Sequence, residues 1–332
     1  MSDRMLLIIS LAISFAVTTA VGPLVIRLLK KENAGQSIRE EGPESHKSKA
    51  GTPTMGAFMF LIGIVVSCIA VSLPLNHGLS ADMSVLLISL LLYAAIGFCD
   101  DFLKVVKHRN LGLTAKQKLA FQIVIGVVIA LYQAKISEHG TSIYVPGLKE
   151  YLDLGILYIP FVVFVLVAMV NAVNLNDGLD GLAGGCSGIV ALFLALTAME
   201  FGTSDTVIYT AAVAGGCAGF LVYNHHPAKI FMGDTGSLAL GGALSVAAIM
   251  MHIELILVIA GLVFVLEVLS VIIQVISFQT RGKRIFRMTP IHHHFELGGW
   301  SGKKEGGWKE VQVDALFWGT TVVCCVIAWF LM

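Results

Sequence analysis

The sequence predicts an all-α integral membrane protein with about ten transmembrane helices. Of its 332 residues, 56% are hydrophobic and 13% charged, with a mean hydropathy of +0.84. A soluble domain carries about 25% charged residues. Apolar stretches repeatedly reach the roughly 20 residues that a spanning helix requires. Lysine and arginine are segregated to alternate loops, as membrane topology demands. The formal net charge is +0, and no nucleic-acid partner is expected.

The expected spans are approximately 5–29, 54–73, 84–100, 117–134, 155–173, 181–200, 206–223, 237–252, 254–279 and 311–331, within one catalytic domain over 1–332. The first is too long for a signal-peptide core and no clear cleavage site follows it, so it reads as a retained span. The loop 135–154 contains Pro146-Gly147, a turn signal that predicts a hairpin or an amphipathic helix. Only His252 and Ile253 separate the eighth span from the ninth. The ninth carries Glu267 and Gln274 within apolar sequence, which predicts a bent span beside a groove. Gly241, Gly242 and Ala243 in the eighth permit close helix packing, within one chain or between chains.

Of the 22 lysines and arginines, all but Arg4, Lys135 and Lys149 fall in loops or helix ends that follow odd-numbered spans. By the positive-inside rule those loops are cytoplasmic and both termini lie outside. The six cysteines lie in or at the ends of apolar runs with no CxxC, so neither a disulfide framework nor a zinc site is indicated.

Polar islands interrupt the apolar sequence on that basic side. The central one, Asn171 to Gly181, reads NAVNLNDGLDG and holds Asp177 and Asp180. Turn formation explains such a loop by itself, but carboxylates beside hydrocarbon are costly and default to function. Span three ends in Asp100-Asp101, followed by Lys104, Lys107, Arg109, Lys116 and Lys118. Carboxylate oxygens suit a hard cation such as Mg²⁺, and the lysines suit phosphate. Lys47 and Lys49 in the first loop suit phosphate or lipid headgroups. After span seven, FMGDTGS sets Asp234 at a glycine-flanked turn opening span eight, where backbone N–H groups favour anions. Asp234 is the best single metal-ligand candidate. The last loop carries His292, His293 and His294. Consecutive helical side chains diverge by about 100°, so tetrahedral zinc binding by all three is excluded, and phosphate hydrogen bonding or proton relay fits better. Polar residues gathered in loops and helix ends favour an enzyme over a transporter, whose polar residues belong near the midplane.

The stretches DDFLKVVKHRNLGLTAKQK, NAVNLNDGLDGLAGG, FMGDTGSLALGG and TPIHHHFELGGW resemble the phospho-N-acetylmuramoyl-pentapeptide transferase family. It is a branch of the polyprenyl-phosphate N-acetylhexosamine-1-phosphate transferases, and the resemblance runs over nearly the whole chain. It implies Mg²⁺-dependent transfer of phospho-MurNAc-pentapeptide from UDP-MurNAc-pentapeptide to undecaprenyl phosphate, giving lipid I and UMP, in the bacterial cytoplasmic membrane. By motif match, Asp100 and Asp101 take the places of paired catalytic acids, and Asp234 that of the Mg²⁺ ligand. Lys116 matches a phosphate-binding lysine, with Lys104 also expected on substrate. Asn174, Asp177, Gly178, Leu179, Asp180, Asn224 and Phe231 match nucleoside- and phosphate-side positions. His293 is expected in the chemistry, His292 and His294 on substrate, and Gln274 beside the lipid groove. A homodimer is compatible with the short external loops, though no motif specifies one.

Two departures stand out. Asn176 occupies a position where threonine is common, and the link after Leu297 carries two Gly-Gly-Trp copies, with Asp314 near an expected arginine. No functional residue is carried over beyond Leu297. The resemblance leaves two mechanisms open: Asp100 orients or deprotonates the lipid phosphate for direct attack, or it forms a covalent phosphosugar intermediate. Related alternatives are a GlcNAc-1-phosphate transferase using UDP-GlcNAc and, from another class, a lipid or nucleotide-sugar transporter.

Overall fold

The computed structural model describes residues 1–31, 49, 51–76, 78–106, 112–300 and 307–332. Lys47, Lys107 and Arg109, expected near phosphate, lie outside these residues. The helices are α1 (Asp3–Lys31), α2 (Phe58–Asn76), α3 (Ala81–Val106), α4 (Ala115–Ile136), α5 (Tyr158–Asn176), α6 (Leu182–Phe201), α7 (Ser204–Asn224), α8 (Gly233–Met250), α9 (Glu254–Ala260), α10 (Leu262–Arg281), α11 (Ile291–Glu296) and α12 (Glu310–Leu331). Among the described residues, ten of these are long and apolar enough to cross a membrane: α1 to α8, α10 and α12.

The helices sort into a centre and a rim. In α8, 83% of the spanning window is buried inside the protein, against 28% in α1, α4 and α10. Small residues make α8 central. A Cβ on Gly241 would stand 2.6 Å from Val170 Cα in α5, and one on Gly242 would stand 2.3 Å from the Tyr93 ring in α3. The close packing expected of this stretch is therefore made within the chain. Without hydrophobic driving force in lipid, such contact is what holds helices together. The rim helices instead present leucine, isoleucine, valine and phenylalanine outward, such as Ile8, Val124, Ile276 and Phe278.

The expected ninth span is two helices. The apolar run continues unbroken, but α9 ends at Gly261, whose N–H still bonds the Leu257 carbonyl while its ψ of 21° leaves helical geometry. The chain then restarts as α10. Between α8 and α9, His252 turns the chain in the left-handed region at φ 57°.

The loop after α4 forms a two-stranded antiparallel hairpin, β1 (Ser142–Val145) and β2 (Glu150–Asp153), with Pro146-Gly147 at its tip. Tyr144 N–H bonds the His252 carbonyl at 2.8 Å, so the hairpin packs at the α8–α9 end of the bundle. The polar residues singled out above gather at the other end.

Candidate active site

The site is assembled from helix ends. Asp100, Asp101 and Lys104 sit in the last two turns of α3, and Lys118 in the first turn of α4. Asn174 closes α5 and Asp234 opens α8. A capping box phases α4: the Thr114 hydroxyl accepts from Gln117 N–H, and the Gln117 side chain accepts from Thr114 N–H. Gly97 lets the start of α8 come against α3, since a Cβ there would stand 2.1 Å from the Asp234 carbonyl oxygen.

One carboxylate oxygen from each of Asp100, Asp101 and Asp234 lies within 4.8 Å of the others. The Lys104 ammonium is 2.5 Å from Asp100 and 3.2 Å from Asp234, and the Lys118 ammonium is 3.1 Å and 2.7 Å from the same two. Leu113 N–H also donates to Asp100, at 2.7 Å. Asn174 Nδ2 donates to Asp234 at 3.1 Å and to the Ser237 hydroxyl at 2.8 Å. Clustered carboxylate oxygens and two lysine ammonium groups suit a hard divalent ion and an anionic phosphate.

Two expectations change here. Asp101, expected as the second of a catalytic pair, is committed to the fold: its carboxylate accepts from Asp234 N–H at 3.1 Å, Thr235 N–H at 2.9 Å and the Thr235 hydroxyl at 2.7 Å. It caps α8 from another helix, satisfying N–H groups that the helix itself cannot. Lys116 is exposed, and Lys118 reaches the acids instead. Residues two apart on a helix point about 200° apart, so only one of the two can face Asp234. The capping box could have set that phase from sequence.

The island runs from this cluster to a second one. Burial, then the negative charges of Asp234, Asp101 and Asp180, push the Asp177 carboxyl up to about 8. Asp180 meets Lys49 at 2.7 Å, and Lys49 meets Glu310 at 2.6 Å. Ala228 N–H donates to Asp180 at 3.0 Å, and His226 Nδ1 lies 3.1 Å from it. Burial lowers the Lys49 ammonium, but hydrogen bonds to Asp180 and Glu310 outweigh it and hold the lysine above its ordinary range. A cavity of about 630 Å³ opens here, lined by Lys49, Thr52, Asp180, His226, Trp308 and Glu310 among others. Sequence reasoning missed Glu310 because the doubled Gly-Gly-Trp obscured the register after Leu297. The signal was the second copy, Gly306-Gly307-Trp308, which leads directly into α12.

Several expected ligand-side residues serve the backbone. Asn224 accepts from Gly181 N–H at 3.0 Å and donates to the Ile230 carbonyl at 2.9 Å, tying the island to the α7–α8 loop. Phe231 is bound through its main chain to Pro53 and Gly56. Gln274 donates to the Phe286 carbonyl at 3.0 Å and accepts from Ile285 N–H and Phe286 N–H at 2.9 and 3.0 Å. It pins the loop after α10. Leu179 is buried in the core.

The three histidines part company. His292 is fully buried, with Nδ1 2.9 Å from Glu267, and its ring lies against Gly178. His293 lies 2.8 Å from Glu296. His294 is buried and accepts from Arg287 N–H at 3.1 Å, and burial followed by the Arg287 charge holds it below the ordinary histidine range. The tryptophans of both copies pack on this helix. Trp300 lies 4.6 Å from His294 and 5.6 Å from Phe295, and Trp308 lies 5.6 Å from Phe295 on another side.

The model of the family described as glycosyl transferase family 4 matches residues 83–252, which hold Asp100, Asp101, the island and Asp234. Three similar curated proteins are each named phospho-N-acetylmuramoyl-pentapeptide-transferase. That of Alkaliphilus oremlandii is 50% identical over 97% of this chain and 96% of its own length. That of Halalkalibacterium halodurans is 48% identical over 100% and 98%. That of Heliobacterium modesticaldum is 47% identical over 94% and 93%.

Proposed function

The chain belongs to the phospho-N-acetylmuramoyl-pentapeptide-transferase family and is a phosphoglycosyl transferase of peptidoglycan synthesis, and from that premise we propose its substrates, cofactor and residue roles. The donor is UDP-MurNAc-pentapeptide, the acceptor undecaprenyl phosphate, and the products lipid I and UMP. The acid cluster faces the cytoplasm of a bacterial inner membrane and both termini face outward. The lysine and arginine distribution supports that orientation.

The observation that carries the reading is the cluster of Asp100, Asp234, Lys104 and Lys118, with Asn174 beside it. Mg²⁺ bound through Asp234, with Asp100 next to it, would neutralise charge on the donor diphosphate. Asp101 keeps Asp234 in place by capping α8. Lys104 and Lys118 are positioned to leave the carboxylates for phosphate oxygens when substrate enters. Asp100 then orients the lipid phosphate for attack on the sugar-side phosphorus. Its oxygens are held by two lysines and Leu113 N–H. Leu113 N–H still holds Oδ1 once the lysines have left, which favours direct displacement over a covalent intermediate. Lys49, Asp180 and Glu310 form the nucleotide-side wall.

The test is UMP release from the full chain in detergent, with undecaprenyl phosphate and either UDP-MurNAc-pentapeptide or UDP-GlcNAc, with and without Mg²⁺. UMP from the first donor alone, lost with Mg²⁺ removed, is expected. Turnover of UDP-GlcNAc alone would assign the sibling reaction. Trapping a labelled phosphosugar on the protein without acceptor would restore the covalent route.

A further inference from the structure

Glu267 lies in the second turn of α10, on the buried side of a helix that mostly faces outward, and is 0% exposed. A carboxylate buried at membrane depth calls for partners. Its Oε1 receives two: Asn176 Nδ2 at 3.2 Å and His292 Nδ1 at 2.9 Å. Asn176 and His292 are themselves 0% exposed. With Glu267 as the acceptor in both contacts, Nδ1 of His292 is the donor. The other ring nitrogen, Nε2, has no partner among the described residues. It is turned onto Gly178, where a Cβ would stand only 2.2 Å from it. Gly178 has an ordinary negative φ, so glycine is required here for space and not for backbone conformation.

These contacts close a ring. It runs from Glu267 to Asn176, along the island to Gly178, across to His292 and back to Glu267. Asp177 lies on the only stretch of main chain inside that ring. We infer that Glu267 is a positioning residue that, through Asn176 and His292, clamps the island on both sides of Asp177 and so sets the donor-binding wall. Asn176, the residue that departs from the threonine common at this position, supplies one leg of the clamp with an amide donor. His292 supplies the other and joins α11 to the island. Neither touches substrate, and both act through where Asp177 and Asp180 are held.

The inference rests on the reading of the island as the donor side. The experiment is the detergent UMP-release assay on the full chain, varying UDP-MurNAc-pentapeptide, with thermal melts alongside. Glu267→Ala is expected to raise donor KM about tenfold while kcat falls less than about threefold, the signature of lost ground-state positioning. Glu267→Gln, which keeps the acceptor oxygen, is expected to recover most of that loss. Glu267→Ala with His292→Ala should be no worse than the worse single variant, because both break one unit. If Glu267→Ala does not fold, Asn176→Ala cuts one leg alone and is expected to raise donor KM about threefold. A lowered Tm with donor KM unchanged in Glu267→Ala or Asn176→Ala overturns the clamp, as do multiplying losses in the double variant. A wild-type protein releasing no UMP from this donor overturns the donor reading and the clamp with it. Wild-type turnover with unchanged KM in the variants overturns the clamp alone.

Discussion

Around Asp234, every polar partner sits near a helix end, and Asp101 welds two of those ends together. Around Asp180, two of the partners lie outside any long helix, Lys49 and the Ala228 N–H, and Glu310 opens α12 on the far side of Lys49. The first cluster has two lysines against three carboxylates, with the island's Asp177 close by. The second has one lysine shared by two carboxylates. On the proposed roles, the comparison separates chemistry from recognition. Helix ends in a packed bundle hold groups to the tolerance that charge stabilisation needs, while a wall part-built from loop residues such as Lys49 and Ala228 can adjust to a bulky ligand.

That division is easiest to break at its strongest point. Asp234→Asn keeps the shape and removes the charge that Lys104 and Lys118 balance, and kcat for UMP release is expected to fall about 1000-fold or more. Lys118→Ala should lower kcat/KM about 100-fold, whereas Lys116→Ala should stay within about twofold. Equal effects of the two would contradict the phasing of α4. Asp180→Ala is expected to raise donor KM about tenfold with kcat nearly kept. A kcat collapse at constant KM would merge the two clusters into one.

A pH scan sharpens the comparison from the island. Asp177 titrates near 8 in the folded protein, against about 4 in an unfolded chain. Between those values the folded state holds a proton the unfolded state has lost, so stability declines as pH rises through that window and levels off above it. Asp177→Asn should flatten the fall, raising Tm over wild type by a few degrees at high pH and not at low pH. The smallest expected effect is at Thr114. Its alanine variant loses the cap that phases Lys118 and should cost about 1 kcal/mol, read as a modest drop in Tm.

The spans were legible because a bilayer enforces length on apolar sequence: the stretch expected at 117–134 is Ala115–Ile136, and that at 181–200 is Leu182–Phe201. A bend in the ninth span was expected from Glu267 and Gln274, but its place at Gly261 was not legible, since apolar residues run through it without change. The acidic residues could be gathered from their spacing at span ends. Which carboxylate caps a helix and which stays available depends on contacts such as Asp101 with Thr235, 134 residues apart, and no local pattern encodes that. Choosing Lys118 over Lys116 needed the helical phase of α4, which the Thr114 capping box sets. Glu310 was hidden by the doubled Gly-Gly-Trp.

That doubling leaves an optical handle. Trp300, in the first copy, is 70% exposed with its ring against the imidazole of His294. Protonated imidazole quenches indole emission on contact. Because His294 is held below the ordinary histidine range, Trp300 should stay bright through neutral pH and dim only in acid. With Trp308, Trp318 and Trp329 replaced by phenylalanine, its fluorescence would report on the histidine helix without an added label.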